Sequence, residues 1–403
     1  MSVTEELEVT GHIIDSLVLA KVLDAVVAAG ADYTMLDVQI GRTNTDTSRA
    51  HLSIVAPDEA SMAALLEELQ QHGANRVGDS DATLVACELD GVLPAGFHST
   101  TNLPTQVRLA GRWHDVLDPE MDCALIVSGA LVRTCPMHRV VEGDRVVVGG
   151  AGVRVEAPER LRGAAGFEFM SSEVSSEKPK ALLVAQVAAR MQACRARGAR
   201  TLDVLGPAVI HTGAGPDVAA LVREGWIDVL FAGNGFATHD IESNVLGTSL
   251  GVSVAAGTAT EGGHSNHLRV INEVRRWGSI ANAVEGGYVT GGVMYECVRR
   301  PIPFVLGGSV RDDGPLPDVR TDVVAAVDEM RSHVAGVGVS LMLASTLHAI
   351  ATGNILPAGI ETYCVDINQA VVTKLADRGS HQALGIVTDV GLFVRDLTDR
   401  LCR

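Results

Sequence analysis

Five apolar runs in this chain stop on residues able to hold a ligand. FVLGGSVRDDGPLPD carries Arg311, Asp312 and Asp313, and GVSLML runs into ASTLHAIATGN. ETYCVDI ends on Asp366, Ile367 and Asn368 follows; ALGIVTDVG carries Asp389 and Val390, and WIDVLFAGNGFATHD carries Gly233, Asn234 and Gly235. If these runs are parallel strands, their carboxyl ends form one rim, which is where open α/β sheets bind ligands. A carboxylate on such a rim accepts hydrogen bonds from both ribose hydroxyls of an adenosine and repels a 2′-phosphate, which favours NAD over NADP. Asp366 is the candidate for that role. It serves equally well as the N-cap of the helical stretch NQAVVTKL behind it, and position alone does not separate the two.

Other motifs carry less. Gly213 and Gly215 in HTGAGPDVAALV precede a helix and form a usable anion cradle. That run departs from GxGxxG, however, and GNGFAT at 233–238 only half matches it. GxxxxGKS/T and HExxH do not occur, so kinases and zincins lose their usual signature. Cys135 and His138 have a CxxH spacing and His264 lies near His267, but neither pair has the matching pair that a tetrahedral site requires, so no metal is expected. RTNTDTSRA (42–50) reads as a hairpin loop, or as a loop presenting Arg42 and Asn44 to an anion. MSSEVSSEKPK (170–180) reads as a solvated linker, with placement of Glu173, Glu177 or Lys178 in an interdomain cleft as the alternative.

The elements that must position these residues fall into three blocks. Residues 1–90 alternate as LEVTGHII (strand), SLVLAKVLDAVVAAG (helix, closed by Gly30), DYTMLDVQIG and SRAHLSIVAP (strands), DEASMAALLEELQQHG (helix) and TLVACEL (strand). That βαββαβ order is ferredoxin-like. Residues 91–165 hold short β-type runs separated by Gly, Pro and Asp, as in a small β-rich module. From 166 to 403, strands such as TLDVLGPAVI and helices such as LLVAQVAARMQACRARG alternate. That pattern implies a doubly wound, Rossmann-like parallel sheet.

The net charge of −17 argues against nucleic acid or an anionic membrane as partner. Ser332 to Ile360 lacks Asp, Glu, Lys and Arg, but its His, Asn, Pro and Gly suit buried strand, loop and helix better than a bilayer span. The N-terminus shows no signal-peptide pattern. Seven scattered cysteines without a CxxC pair read as reduced thiols, which suits the cytoplasm.

Taken together, IGRTNTDTSRA, GFHSTTNLPTQV, FEFMSSEVSSEKPK, GPAVIHTGAG, AGNGFATHDIE, EGGHSNHLRVIN, SVRDDGPLPDV, STLHAIATGN, VDINQAVVTKLADRG and GIVTDVGLF resemble, in order and over nearly the whole chain, the archaeal-type ornithine cyclodeaminase family. The N-terminal part resembles the conserved region of lysine-ketoglutarate reductase/saccharopine dehydrogenase. The chain looks like the stand-alone form, without an arginine dihydrolase module. The resemblance implies a deoxyhypusine-synthase-like C-terminal fold and NAD contacts at Asn234, Gly235, Asp312, Thr346, Leu347, His348, Asp366, Asp389 and Val390. It also implies conversion of L-ornithine to L-proline and ammonia with a tightly held, recycled NAD.

Such chemistry needs proton transfers, for which Asp312, Asp313 and Asp240 are the candidates, with Glu173 behind them. The substrate carboxylate wants an arginine fork, from Arg42 or Arg311, and Asn44 and Asn102 are further substrate contacts. A cyclodeaminase for another diamino acid such as lysine, a net dehydrogenase and a non-catalytic NAD or amino-acid sensor are the competing readings. A homo-oligomer, dimer or tetramer, is expected.

Overall fold

The computed structural model describes residues 2–14, 17–42, 46–78, 80–156, 174–175, 180–249, 252–253, 265–312, 314–371, 374 and 383–402. The chain forms two compact units, Met1–Ser171 with Asn354–Ala358, and Ser172–Gly353 with Gly359–Arg403.

The first unit opens with β1 (Val3–Gly11), α1 (Val18–Ala28), β2 (Asp32–Gln39), β3 (Ser48–Ala56), α2 (Glu59–Gln71) and β4 (Ala74–Arg76). Val18, Val22, Ala25 and Val26 fall on one face of α1 and are buried. They meet the alternate inward positions of β1 and β3, where Leu7 pairs with Leu52 and Val9 with Ala50. Each fully buried Val, Leu or Ile contributes about 1.5–3 kcal/mol. Gly30 closes α1 with φ +69°, and the Asp58 side chain caps α2 by accepting the Ser61 N–H. The described strands form an antiparallel sheet in the order β2-β3-β1-β4, which is the ferredoxin-like arrangement. Its last strand is not TLVACEL, as the pattern suggests, but the three residues Ala74–Arg76.

TLVACEL instead supplies β5 (Thr83–Ala86) to a second sheet. With β6 (Thr105–Leu109), β7 (Arg112–Leu117), β8 (Ala124–Ser128), β9 (Leu131–Cys135), β10 (Arg145–Val148) and β11 (Val153–Val155), the order is β11-β6-β7-β9-β8-β10-β5. Side chains join the two sheets: Gln70 donates to the Val153 carbonyl, and Asn75 both donates to and accepts from the Val155 backbone.

The second unit carries β12 (Val174–Ser175), α3 (Lys180–Ala196), β13 (Arg200–Leu205), α4 (Ala208–His211), α5 (Gly215–Arg223), β14 (Val229–Gly233) and α6 (Asn234–Leu246). Next come β15 (Thr248–Ser249), β16 (Val252–Ser253), α7 (Asn266–Trp277), α8 (Ile280–Glu285), α9 (Val293–Arg299), β17 (Phe304–Gly307), β18 (Val319–Arg320) and α10 (Val323–Ser332). The chain ends with β19 (Val337–Leu343), α11 (Leu347–Ile355), β20 (Glu361–Asp366), β21 (Ala383–Val387) and α12 (Val390–Cys402). The described strands make a parallel sheet ordered β12-β21-β20-β19-β13-β14-β17-β18. Its central strands are apolar runs because helices cover both faces.

TLDVLGPAVI stops being a strand at Leu205, and Ala208–His211 turns into a helix. The polar connector expected at 162–178 lies outside the described residues, except for Val174–Ser175, which pairs with β21. Among the described residues no helix is long and apolar enough to cross a membrane. All seven cysteines are free thiols.

Candidate active site

From β13 the chain steps outward through β14, β17 and β18, then returns to β19 on the other side and continues through β20 and β21. The order of winding reverses between β13 and β19, where doubly wound sheets open a crevice. The backbones are pinched together there. Gly206 N–H donates to the Leu343 carbonyl, and a Cβ on Gly206 would stand 1.7 Å from the Ala344 oxygen, so only glycine fits. Ala344 takes φ +47°, a conformation that costs a non-glycine residue about 1–2 kcal/mol. The turn into Ser345 and Thr346 is therefore set by the sheet.

Around that crevice the strand ends carry the expected polar residues. Asn234 opens α6 directly behind β14, and its Oδ1 accepts the Leu316 N–H at 3.0 Å. Gly235 lies against Pro207. Thr346, Leu347 and His348 form the entry to α11. The His348 ring reaches across the ends of β14 and β17: a Cβ on Gly233 would come within 3.0 Å of it, and one on Gly307 within 2.8 Å. Burial lowers the pKa of His348, and the neighbouring Asp312 carboxylate opposes that shift. Asp312 itself accepts the Ser309 N–H at 2.8 Å, which folds the loop after β17.

Asp366 is 9% exposed at the end of β20. Its Oδ1 accepts the Asn368 N–H at 2.7 Å, while Oδ2 has no partner among the described residues. The two sequence readings of Asp366 are thus compatible: one oxygen holds the turn and the other remains for a ligand. Asp389 caps α12 by accepting the Leu392 N–H, and Val390 is buried behind it.

Other expected site residues are placed differently. Asp240 has no exposed surface, and both its oxygens are committed, to the N–H groups of Val293 and Met294 at 2.9 and 2.8 Å. Burial pushes its pKa up to about 6 against the pull of those two bonds. It is the N-terminal cap of α9, not an accessible acid/base. Asn102 is also fully buried. Its side chain donates to Leu356 O and its carbonyl accepts the Ala358 N–H, so it fastens the segment Asn354–Ala358 and is not open to substrate. Arg42 is exposed in the first unit, with its N–H on Asp46; Arg311 is exposed beside Asp312. Asp313, Asn44, Glu173, Glu177, Lys178 and His264 lie outside the described residues. Gly213 and Gly215 flank the start of α5, beyond α4, so in this loop the glycine at the strand end is Gly206.

One cluster was not anticipated. On α6, His239 Nδ1 lies 2.8 Å from Glu242 Oε2. Glu242 has no exposed surface, and its Oε1 accepts the Thr248 hydroxyl at 2.7 Å, which in turn accepts the Asn266 amide at 2.9 Å. His211, at the end of α4, packs edge-on against His239 with ring centroids 4.9 Å apart, and its Nδ1 is 2.7 Å from the Ser249 hydroxyl. His267 of α7 lies 6.3 Å from His239. Burial lowers the pKa of His211, His239 adds to that effect, and Glu242 opposes it. The i, i+3 spacing of His239 and Glu242 is the signal that sequence reasoning passed over.

A doubly wound sheet whose reversal point is ringed by acceptors and helix entries defines a Rossmann-type nucleotide-binding domain. Residues 185–397 match the family described as arginine dihydrolase ArgZ-like, C-terminal, Rossmann fold. Residues 4–103 match the LOR/SDH bifunctional enzyme conserved region, and 104–184 the first region of the ArgZ-like C-terminal part. The chain is 49% identical to ornithine cyclodeaminase of Methanopyrus kandleri over 99% of its own length and 97% of that protein's. The chain belongs to the ornithine cyclodeaminase family. The crystal structure of apo ArgZ, a cyanobacterial arginine dihydrolase, superposes with a TM-score of 0.87 at 37% identity over 99% of this chain and 58% of ArgZ. A ternary complex of AgrE with ornithine and NAD+ matches at 41% identity with a TM-score of 0.54, over 99% of this chain and 57% of AgrE.

Proposed function

We propose that this protein is an NAD-dependent ammonia-lyase that converts L-ornithine to L-proline and ammonia. The observation that carries the reading is the rim itself: Asn234, Asp312, Thr346–His348, Asp366 and Asp389 follow the ends of five strands of one sheet, in a chain that aligns end to end with curated ornithine cyclodeaminases.

The residues present suit a dinucleotide. Asp366 offers an unused carboxylate oxygen for ribose hydroxyls, and the first turn of α11 offers N–H groups for a pyrophosphate. NAD supplies a hydride acceptor that later returns the hydride. The chain supplies binding, orientation and proton transfer. Arg311, beside Asp312, is the candidate for the substrate carboxylate. Holding ornithine with its δ-amine folded onto Cα makes ring closure intramolecular, an advantage of up to about 7–11 kcal/mol. Loss of the α-nitrogen as ammonia then leaves a cyclic imine, whose reduction gives proline.

The test is incubation with ornithine and NAD far below the ornithine concentration. Proline and ammonia in equal amounts, exceeding the NAD added and without accumulation of NADH, support the lyase. NADH rising in step with consumed substrate would identify a net dehydrogenase. Turnover of lysine to pipecolate but not of ornithine would move the substrate, and no ammonia from any diamino acid would favour a sensor. We further infer a cytoplasmic homo-oligomer, to be checked by light scattering of the purified protein.

A further inference from the structure

The proton transfers need a group that accepts a proton early and returns it later. Among the expected acids, Asp240 is spent on capping α9 and Asp312 on the Ser309 turn. His239 is different. Asn266, Thr248 and Glu242 form a chain in which each donor points at the next acceptor, so both Glu242 oxygens accept. His239 Nδ1 must then carry the hydrogen, and Nε2 presents a lone pair. The ring is 8% exposed. It sits five residues along α6 from Asn234, about 7.5 Å of helical rise from the rim.

We propose that His239 is the acid/base of the cyclodeamination and that Glu242 is the residue that positions it, an assignment that rests on the reading of the chain as an ornithine cyclodeaminase. The α-amine enters neutral. As the Cα–H bond gives its electron pair as hydride to the nicotinamide, His239 Nε2 takes a proton from the α-nitrogen, and the C=N bond forms. The δ-amine attacks Cα; the C–Nδ bond forms, and a δ-nitrogen proton passes to the α-nitrogen. His239 returns its own proton to the departing α-nitrogen, which leaves as ammonia with the C–Nα electron pair. The hydride comes back to Cα while the ring nitrogen takes a proton from water. His239 is thereby regenerated each cycle. An imidazole can both take up and return a proton, which suits both directions of transfer. The titratable groups facing it among the described residues are Glu242 on its own helix, His211 from α4 and His267 from α7.

The test uses the full chain. His239→Ala should lower kcat by at least about 100-fold with NAD affinity and thermal midpoint retained, and added imidazole should restore part of the rate. Glu242→Gln keeps the shape but removes the charge, so kcat should fall and the acidic limb of its pH profile should move to lower pH. Histidine 15N shifts should show His239 in the Nδ1–H form in the wild type and lose that preference in Glu242→Gln, a readout that needs no turnover. A His239→Ala enzyme within threefold of wild-type kcat would overturn the assignment. Should that variant not fold, an unmoved profile and unmoved 15N shifts in Glu242→Gln would overturn it instead. A wild-type chain that makes no proline overturns the functional reading first, and this role with it; an active wild type with an active His239→Ala removes only His239.

Discussion

Replacing Asp366 by Asn separates the turn contact of this carboxylate from the ribose contact proposed for it. Oδ1 holds the turn behind β20 through the Asn368 N–H at 2.7 Å, and an amide oxygen can keep that bond. The other oxygen becomes an NH2 group, which cannot accept a ribose hydroxyl. A hydrogen bond to a charged acceptor contributes about 1.5–3 kcal/mol, so the dissociation constant for NAD should rise by about 10- to 150-fold. Loss of the negative charge also removes the repulsion of a 2′-phosphate, so the preference for NAD over NADP should shrink. Calorimetric titration of the purified variant with each dinucleotide measures both effects, and circular dichroism on heating reports whether the turn survives. An NAD dissociation constant within twofold of wild type, with the fold intact, would refute the reasoning. Asp366 would then be a turn residue and nothing more. Asp366→Ala should show the added loss of the turn, about 1 kcal/mol of stability.

Asp240→Asn probes the buried cap of α9. In the fold its pKa stands at about 6, above the roughly 4 of an unfolded aspartate, so the native state binds this proton more readily. That contribution is present in full below about pH 4 and is lost as the pH rises through about 6. Thermal midpoints across this range should fall less steeply in Asp240→Asn than in wild type, and parallel curves would refute the point. Gly292→Ala attacks the same corner. At φ +97° its Cβ would stand 2.4 Å from Asn244 Nδ2 and 2.8 Å from both Asp240 oxygens. Backbone strain and overpacking together should cost about 2–5 kcal/mol, read as a lower denaturant midpoint; an unchanged midpoint would show that the corner yields freely.

How much of this is written in the chain differs from element to element. The strand ends were legible, because a fully buried parallel strand is an apolar run and its exit is marked by Asp312, Asp366 or Asp389. Periodicity likewise exposed α1, with Val18, Val22 and Val26 on one face. The three-residue β4 was not legible. Only Ala74 of it is buried, and the richer β pattern of TLVACEL drew the assignment to a strand of the neighbouring sheet. Asp240 looked like chemistry because it follows the glycine-rich strand end, whereas its partners lie 53 and 54 residues away. Asn102 misled for the same reason, since the segment it holds begins at Asn354.

The sequence by itself determined the alternation of strand and helix, the ferredoxin-like order and the row of polar residues at strand ends. Those follow from local periodicity and from which residues stop an apolar run. Only the tertiary structure decided which carboxylates remain available, because hydrogen-bond partners come from distant parts of the chain. It committed Asp240 to α9, used one oxygen of Asp366 for the turn and left the other unused among the described residues, and assembled His239, Glu242, Thr248 and Asn266 into one polar chain. A buried polar group must find a partner, and which partner it finds is a property of the packed fold.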